Sequence, residues 1–114
     1  MNTQVIHNWD EALERLGGDR DFLIELLSDF TAMLPESLDK IDQALEQKQA
    51  KILAEAAHTL KGVARNLSLI KLGEVSQKIE EAAKGEAWNS VQSWVDALHL
   101  AHDEYQAYYK GVKL

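Results

Sequence analysis

Cysteine is absent from the 114-residue chain. That excludes a disulfide framework, a thiolate nucleophile and any cysteine-ligated zinc or iron–sulfur centre. Proline occurs once and glycine six times, and alternating β-branched runs are missing, which leaves helical periodicity as the dominant pattern. No apolar stretch approaches the roughly 18 residues of a membrane span. The opening Met1 to Val5 lacks a basic segment followed by an apolar run, so no signal peptide is expected. Basic side chains are in the minority, 12 against 19 acidic, for a net charge of −7. Such a surface repels a phosphate backbone and an anionic membrane, and no basic stripe overrides it. A protein partner is expected instead, and a cysteine-free chain suits a cytoplasmic setting.

Hydrophobic residues make up 46% and charged residues 27%, the balance of a folded chain rather than a disordered one. The length allows one modest core and not two, so residues 1–114 are expected to form a single domain.

The periodicity predicts a short first helix with Asn8 as its cap, Glu11 reaching back to complete the box, and Gly17-Gly18 as its stop. Asp19 caps a long second helix with the stripe Leu23, Leu26, Leu27, Phe30, Leu34, Leu38, Ile41 and Leu45. Pro35 removes one backbone bond inside that stripe, and because the apolar phase continues across it a kink is expected rather than a break. A third helix is expected over Gln49–Leu67; the connection Glu46-Gln47-Lys48 before it holds no strong turn residue. The fourth follows Ser68, turns Leu69, Leu72, Val75, Ile79 and Ala83 inward, and stops at Gly85. The fifth runs from Ala87 to Lys110 on Val91, Trp94, Val95, Leu98, Ala101, Tyr105 and Tyr108, with Gly111 ending it. Trp94 is assigned to the core, Trp9 and Trp88 to positions near loops. Four long amphipathic helices with short connections predict an all-α fold, an antiparallel up-down four-helix bundle with a short additional N-terminal helix.

On the third helix Leu53, Ala57, Leu60, Ala64 and Leu67 trace the buried stripe, and His58 lies off it. Lys61 and Gly62, three and four residues on, share its face. A histidine on a surface helix needs no special explanation. A glycine inside a long helix does, because it costs about 1 kcal/mol relative to alanine. The close approach of another molecule is the simplest use for the missing side chain.

The run Ala57-His58-Thr59-Leu60-Lys61-Gly62, with Ala64, Asn66, Leu67 and Leu72 after it, resembles the histidine-containing phosphotransfer (HPt) domains. So do the opening from Trp9 to Gly18, the stretch from Phe22 through Leu34-Pro35-Glu36 to Ala44-Leu45, and Ile79-Glu80. Nearly the whole chain is covered. One departure stands out: family members often carry glycine where this chain has Ser68. The resemblance implies a four-helix bundle whose exposed imidazole, His58, takes a phosphoryl group from one receiver-domain aspartate and gives it to another in a multistep two-component phosphorelay. It implies that Lys61 neutralises the phosphoryl oxygens, that Gly62 lets the receiver's loops approach, and that Glu80 stands beside the ring.

Chemistry supports those roles. A nucleophilic imidazole must be neutral, and histidine is the side chain that ordinarily titrates near neutrality. A carboxylate accepting from Nδ1–H would fix the tautomer and aim the Nε2 lone pair outwards, which predicts phosphorylation on Nε2. A phosphoryl group adds roughly two negative charges to an acidic protein, so cations beside it are needed. Lys61 is the first choice and Arg65 the second. Mg2+ is expected in the partner receiver domain and no metal or cofactor on this chain. The docking face is expected to include Lys51, Ala54, Glu55, Lys61, Gly62 and Arg65, completed from the second helix by Phe30 and Met33 unless these belong to the core. The protein is expected to be a monomer.

A kinase would need a glycine-rich phosphate loop and an ATP-binding domain, and neither is read in the sequence; a phosphocarrier without autonomous kinase activity is expected instead. A metal-binding bundle could use His99, His102, Asp103 and Glu104, but the paired Glu-x-x-His constellation is missing. A non-catalytic helical module that binds receiver or kinase domains is the alternative, and the intact set His58, Lys61 and Gly62 speaks against it.

Overall fold

A computed structural model describes residues 6–113, all five of whose principal elements are helices: α1 (Trp9–Arg15), α2 (Arg20–Glu46), α3 (Ala50–Asn66), α4 (Ile70–Lys84) and α5 (Trp88–Lys113). Local signals start the first two. Asn8 Oδ1 accepts from Glu11 N at 3.1 Å, and Asp19 Oδ1 accepts from Phe22 N at 3.0 Å, each satisfying one of the free amides of a helix start. Glu11 does not complete the expected box; its carboxylate instead binds Arg15 and Ser68, both at 2.8 Å.

The long helix α2 continues through Pro35. Its 27 residues amount to about 40 Å at ~1.5 Å per residue, which matches the 41 Å long axis of the molecule. One exposed proline is therefore accommodated without dividing the helix. Helix α3 packs on α4, α4 on α5, α5 on α2 and α2 on α3, closing a four-helix ring, while α1 rests on α2. The three-residue connections 47–49, 67–69 and 85–87 are too short for anything but antiparallel neighbours.

All three connections use the same device. Lys48, Ser68 and Glu86 take positive φ values of 52°, 55° and 52°, and the next residue's amide reaches back five places: Gln49 N to Ala44 O, Leu69 N to Ala64 O and Ala87 N to Ala82 O, at 2.8 to 3.0 Å. These are Schellman turns. The fourth, after α1, uses glycine at the left-handed position, Gly17 at φ 67°. Ser68 thus makes its turn in the left-handed region without being glycine. Gly85 does not stop α4 as expected: it is an ordinary cap residue at φ −88°, and Glu86 makes the turn. Gly111 does not end α5 either, since the helix runs on to Lys113.

The core follows the predicted stripes with shifts at their edges. Leu23, Leu27, Phe30, Leu34, Leu38 and Ile41 are buried, but Ala44 takes the place assigned to Leu45, which is half-buried with Leu26. On α5 the stripe turns through Tyr109 rather than Tyr108, and Trp94 is half-buried against the core rather than inside it. No helix among the described residues is long and apolar enough to cross a membrane.

Candidate functional site

The α3 stripe Leu53, Ala57, Leu60 and Ala64 is sealed in the core, so the residue after Ala57 must face outwards. His58 accordingly keeps 66% of its side chain exposed. Its inner edge is fastened: Nδ1 lies 2.9 Å from Oε2 of Glu80 on α4. Glu80 is the unusual member of the group, a carboxylate with only 8% of its side chain exposed. Burial of an unpaired carboxylate is costly, and three groups offset it. Lys61 Nζ donates to Oε1 at 2.6 Å, Lys84 Nζ lies 3.2 Å from Oε2, and His58 shares that second oxygen. The Lys61 hydrogen bond is the main reason that the carboxyl is pulled down to about 2; burial acts in the opposite direction, and Lys84 and His58 add to the effect of Lys61.

An ionised carboxylate only accepts hydrogen bonds. Nδ1 of His58 must therefore carry the proton, and in the neutral ring the lone pair sits on Nε2. No protein partner meets Nε2 among the described residues. The arrangement is that of an oriented nucleophile: one nitrogen held, the other open.

An open groove of about 690 Å³ runs from the ring toward the start of α3 and the end of α4. Ala50, Ala54 and Ala83 are among its lining residues, as are Lys51, Glu55, Thr59, Lys84 and Glu86. A second hollow of about 280 Å³ lies across Thr59, toward α2, where Met33, Lys40 and Leu60 line it. Helices α3 and α4 together carry six basic and four acidic side chains, against six and fifteen on the rest of the chain. The histidine-bearing half of this acidic protein is thus the cationic half.

Gly62 is exposed, and a Cβ there would meet nothing within 4 Å; the fold itself does not require the glycine. Glu55 and Lys51 are exposed on the same helix, whereas Ala54 is buried and offers only a sliver to the groove. Phe30 is sealed in the core and cannot complete a docking face; half-buried Met33 reaches the second hollow. Arg65 does not turn toward His58. A Cβ on Gly73 would come within 3.2 Å of its Cγ, so the stem of Arg65 crosses α4 where that helix has no side chain, and its guanidinium binds Gln77.

Two features escaped the sequence reading. Lys84 is one; its signal was available, since it stands four residues after Glu80 on one helix face. The other is the N-terminal segment, which closes the far end of α3. Arg15 Nη1 donates to the carbonyls of Arg65 and Asn66 at 2.7 and 3.1 Å, His7 Nε2 contacts that of Leu67 at 2.8 Å, and Asn8 N donates to that of Ser68 at 2.9 Å. His7 is buried, its Nδ1 meets the Tyr108 hydroxyl, and burial lowers its pKa. No local pattern announces contacts made across 50 or more residues.

The metal-binding alternative finds no site: among the described residues no group of three or more histidine, cysteine, aspartate or glutamate side chains could hold an ion. His99 pairs with Asp42 at 2.8 Å, and His102 meets Gln106 at 2.9 Å.

The molecule is thus a closed ring of four helices that presents the His58 imidazole, held at Nδ1, to solvent. The family model of the Hpt domain matches residues 25–108, and the chain belongs to that family, whose members serve phosphotransfer in two-component systems and interact with receiver domains. Among solved structures, the Hpt domain of the Hpt sensor hybrid histidine kinase from Shewanella is similar, with a TM-score of 0.74 at 21% identity over 95% of this chain and 97% of that one. No curated protein matches the chain.

Proposed function

We propose that this chain is a phosphorelay carrier: Nε2 of His58 accepts a phosphoryl group from the aspartate of one receiver domain and passes it to the aspartate of another. The observation that carries this reading is the asymmetry of the ring, held at Nδ1 by Glu80 at 2.9 Å while the side chain stays 66% exposed. Phosphoryl transfer asks for positioning and charge stabilisation more than for covalent chemistry, and the cationic α3–α4 half supplies the right sign. Glu80 is the positioning residue. Gly62, Glu55 and Lys51 belong to the face that receives the partner, and the Mg2+ that such a transfer uses is assigned to the receiver, because Glu80, the carboxylate beside His58, is engaged by Lys61. The bundle closes its stripes within one chain, which favours a monomer in a cytoplasmic relay.

The test is incubation with phosphorylated receiver domains, following acid-labile label. Wild-type protein is expected to take label and His58→Gln to take none. Label on the His58→Gln variant removes His58 from the mechanism. Binding to receivers with no label on the wild type would favour a non-catalytic module.

A further inference from the structure

The two lysines on Glu80 are held very differently. Lys61 is 18% exposed and bound at 2.6 Å; withdrawing it would strip a buried carboxylate of its strongest partner, which is expensive. Lys84 is 67% exposed and held at 3.2 Å on the oxygen that His58 already uses. Lys84 also lines the groove beside the ring together with His58, whereas Lys61 turns inward to Glu80. Glu55, Glu86 and Lys51 line the same groove. Lys51 stands two turns before His58 on α3, whereas Lys84 shares Oε2 of Glu80 with the ring. Lys84 is therefore the movable cation beside the place an arriving dianion would take.

We propose that Lys84 is the residue that contacts the phosphoryl group on His58, exchanging Glu80 for the phosphoryl oxygens, while Lys61 stays on Glu80 as a positioning residue. This inference rests on His58 being the phosphoryl acceptor. In the transfer the Nε2 lone pair forms the N–P bond as the P–O bond of the acyl phosphate breaks, and the electron pair leaves with the donor carboxylate. Nδ1–H remains on Glu80, whose negative charge balances the positive charge gained by the ring. With Lys84 gone to the phosphoryl group, Oε2 accepts from Nδ1–H alone, and that hydrogen bond strengthens when the ring becomes cationic.

The experiment uses phosphoramidate, a small donor that transfers its phosphoryl group and releases ammonia, so no receiver is needed. The phosphohistidine is followed by 31P NMR, and the pH midpoint of its last protonation is read from the shift. A cation in contact favours the dianion, so Lys84→Gln should raise that midpoint by on the order of half a pH unit, and Lys84→Arg should restore it. Lys61→Gln should leave the midpoint near the wild-type value and change the 15N signal of Nδ1 instead. A midpoint unmoved by Lys84→Gln, or moved only by Lys61→Gln, overturns the assignment while leaving His58 as acceptor. A wild type that takes no label at His58 brings down both readings.

Discussion

Glu80 holds His58 by the buried edge of its ring, at 2.9 Å through Nδ1, and leaves the outer edge free. The ring is therefore aimed by a carboxylate that is only 8% exposed and belongs to the neighbouring helix.

That carboxylate makes stability depend on acid. Its folded value of about 2 lies below the ordinary 4.5, so its contribution is fully present above pH 4.5 and is lost as the pH falls toward 2. The difference corresponds to about 3 kcal/mol. Denaturant melts of wild type and Glu80→Gln from pH 6 to pH 2 should converge toward the acid end. Parallel curves across that range would count against the ion-pair cluster as a source of stability.

His7 acts in a higher window. Burial lowers its pKa, so the folded state favours the neutral ring, and stability should decline as the pH drops below about 6.5, levelling off below the folded value. His7→Asn should be less stable at pH 8 yet show a flatter profile between pH 7 and pH 5, by thermal melting. A variant as steep as the parent would place the titrating group elsewhere.

Gly62 separates folding from docking. With open space around its Cα, Gly62→Ala should stabilise the bundle by about 0.5–1 kcal/mol through helix propensity. Gly62→Trp should leave the melting temperature close to wild type but weaken receiver binding in a titration. Wild-type affinity in the tryptophan variant would mean that the partner does not approach there.

Glu86 occupies a left-handed position at φ 52°, where a side chain costs about 1–2 kcal/mol. Glu86→Gly should raise stability by about 0.5–1 kcal/mol once the greater chain entropy of glycine is subtracted. Differential scanning calorimetry decides it; a lower melting temperature would mean that the side chain contributes more than it strains.

Much of this molecule was readable from the chain because the signals are local. Asn8 and Asp19 announce helix starts, and the α2 and α3 stripes repeat with the helical period. The errors have physical causes. Gly85 and Gly111 look like stops, yet a helix ends where the chain must turn back, and three residues other than glycine do that work at Lys48, Ser68 and Glu86. Tyr109 replaces Tyr108 in the core because steps of three and four cannot be told apart at the end of a 26-residue helix. Ala54, expected on the docking face, is buried on the inward side of α3, whereas Phe30 lies in the core with the stripe that already included it. Arg65 is diverted by Gly73, a gap on another helix that no pattern around Arg65 could reveal.

The contacts that Arg15, His7 and Asn8 make with the last carbonyls of α3 set the smallest piece of this protein that can stand alone. The family-matched span of residues 25–108 omits all three, along with Asp19 and Tyr109. Trimmed to those limits, the chain would bare the end of α3 to water and open the aromatic end of the bundle. A soluble fragment for binding work should therefore begin no later than His7, whatever the recognisable motif suggests.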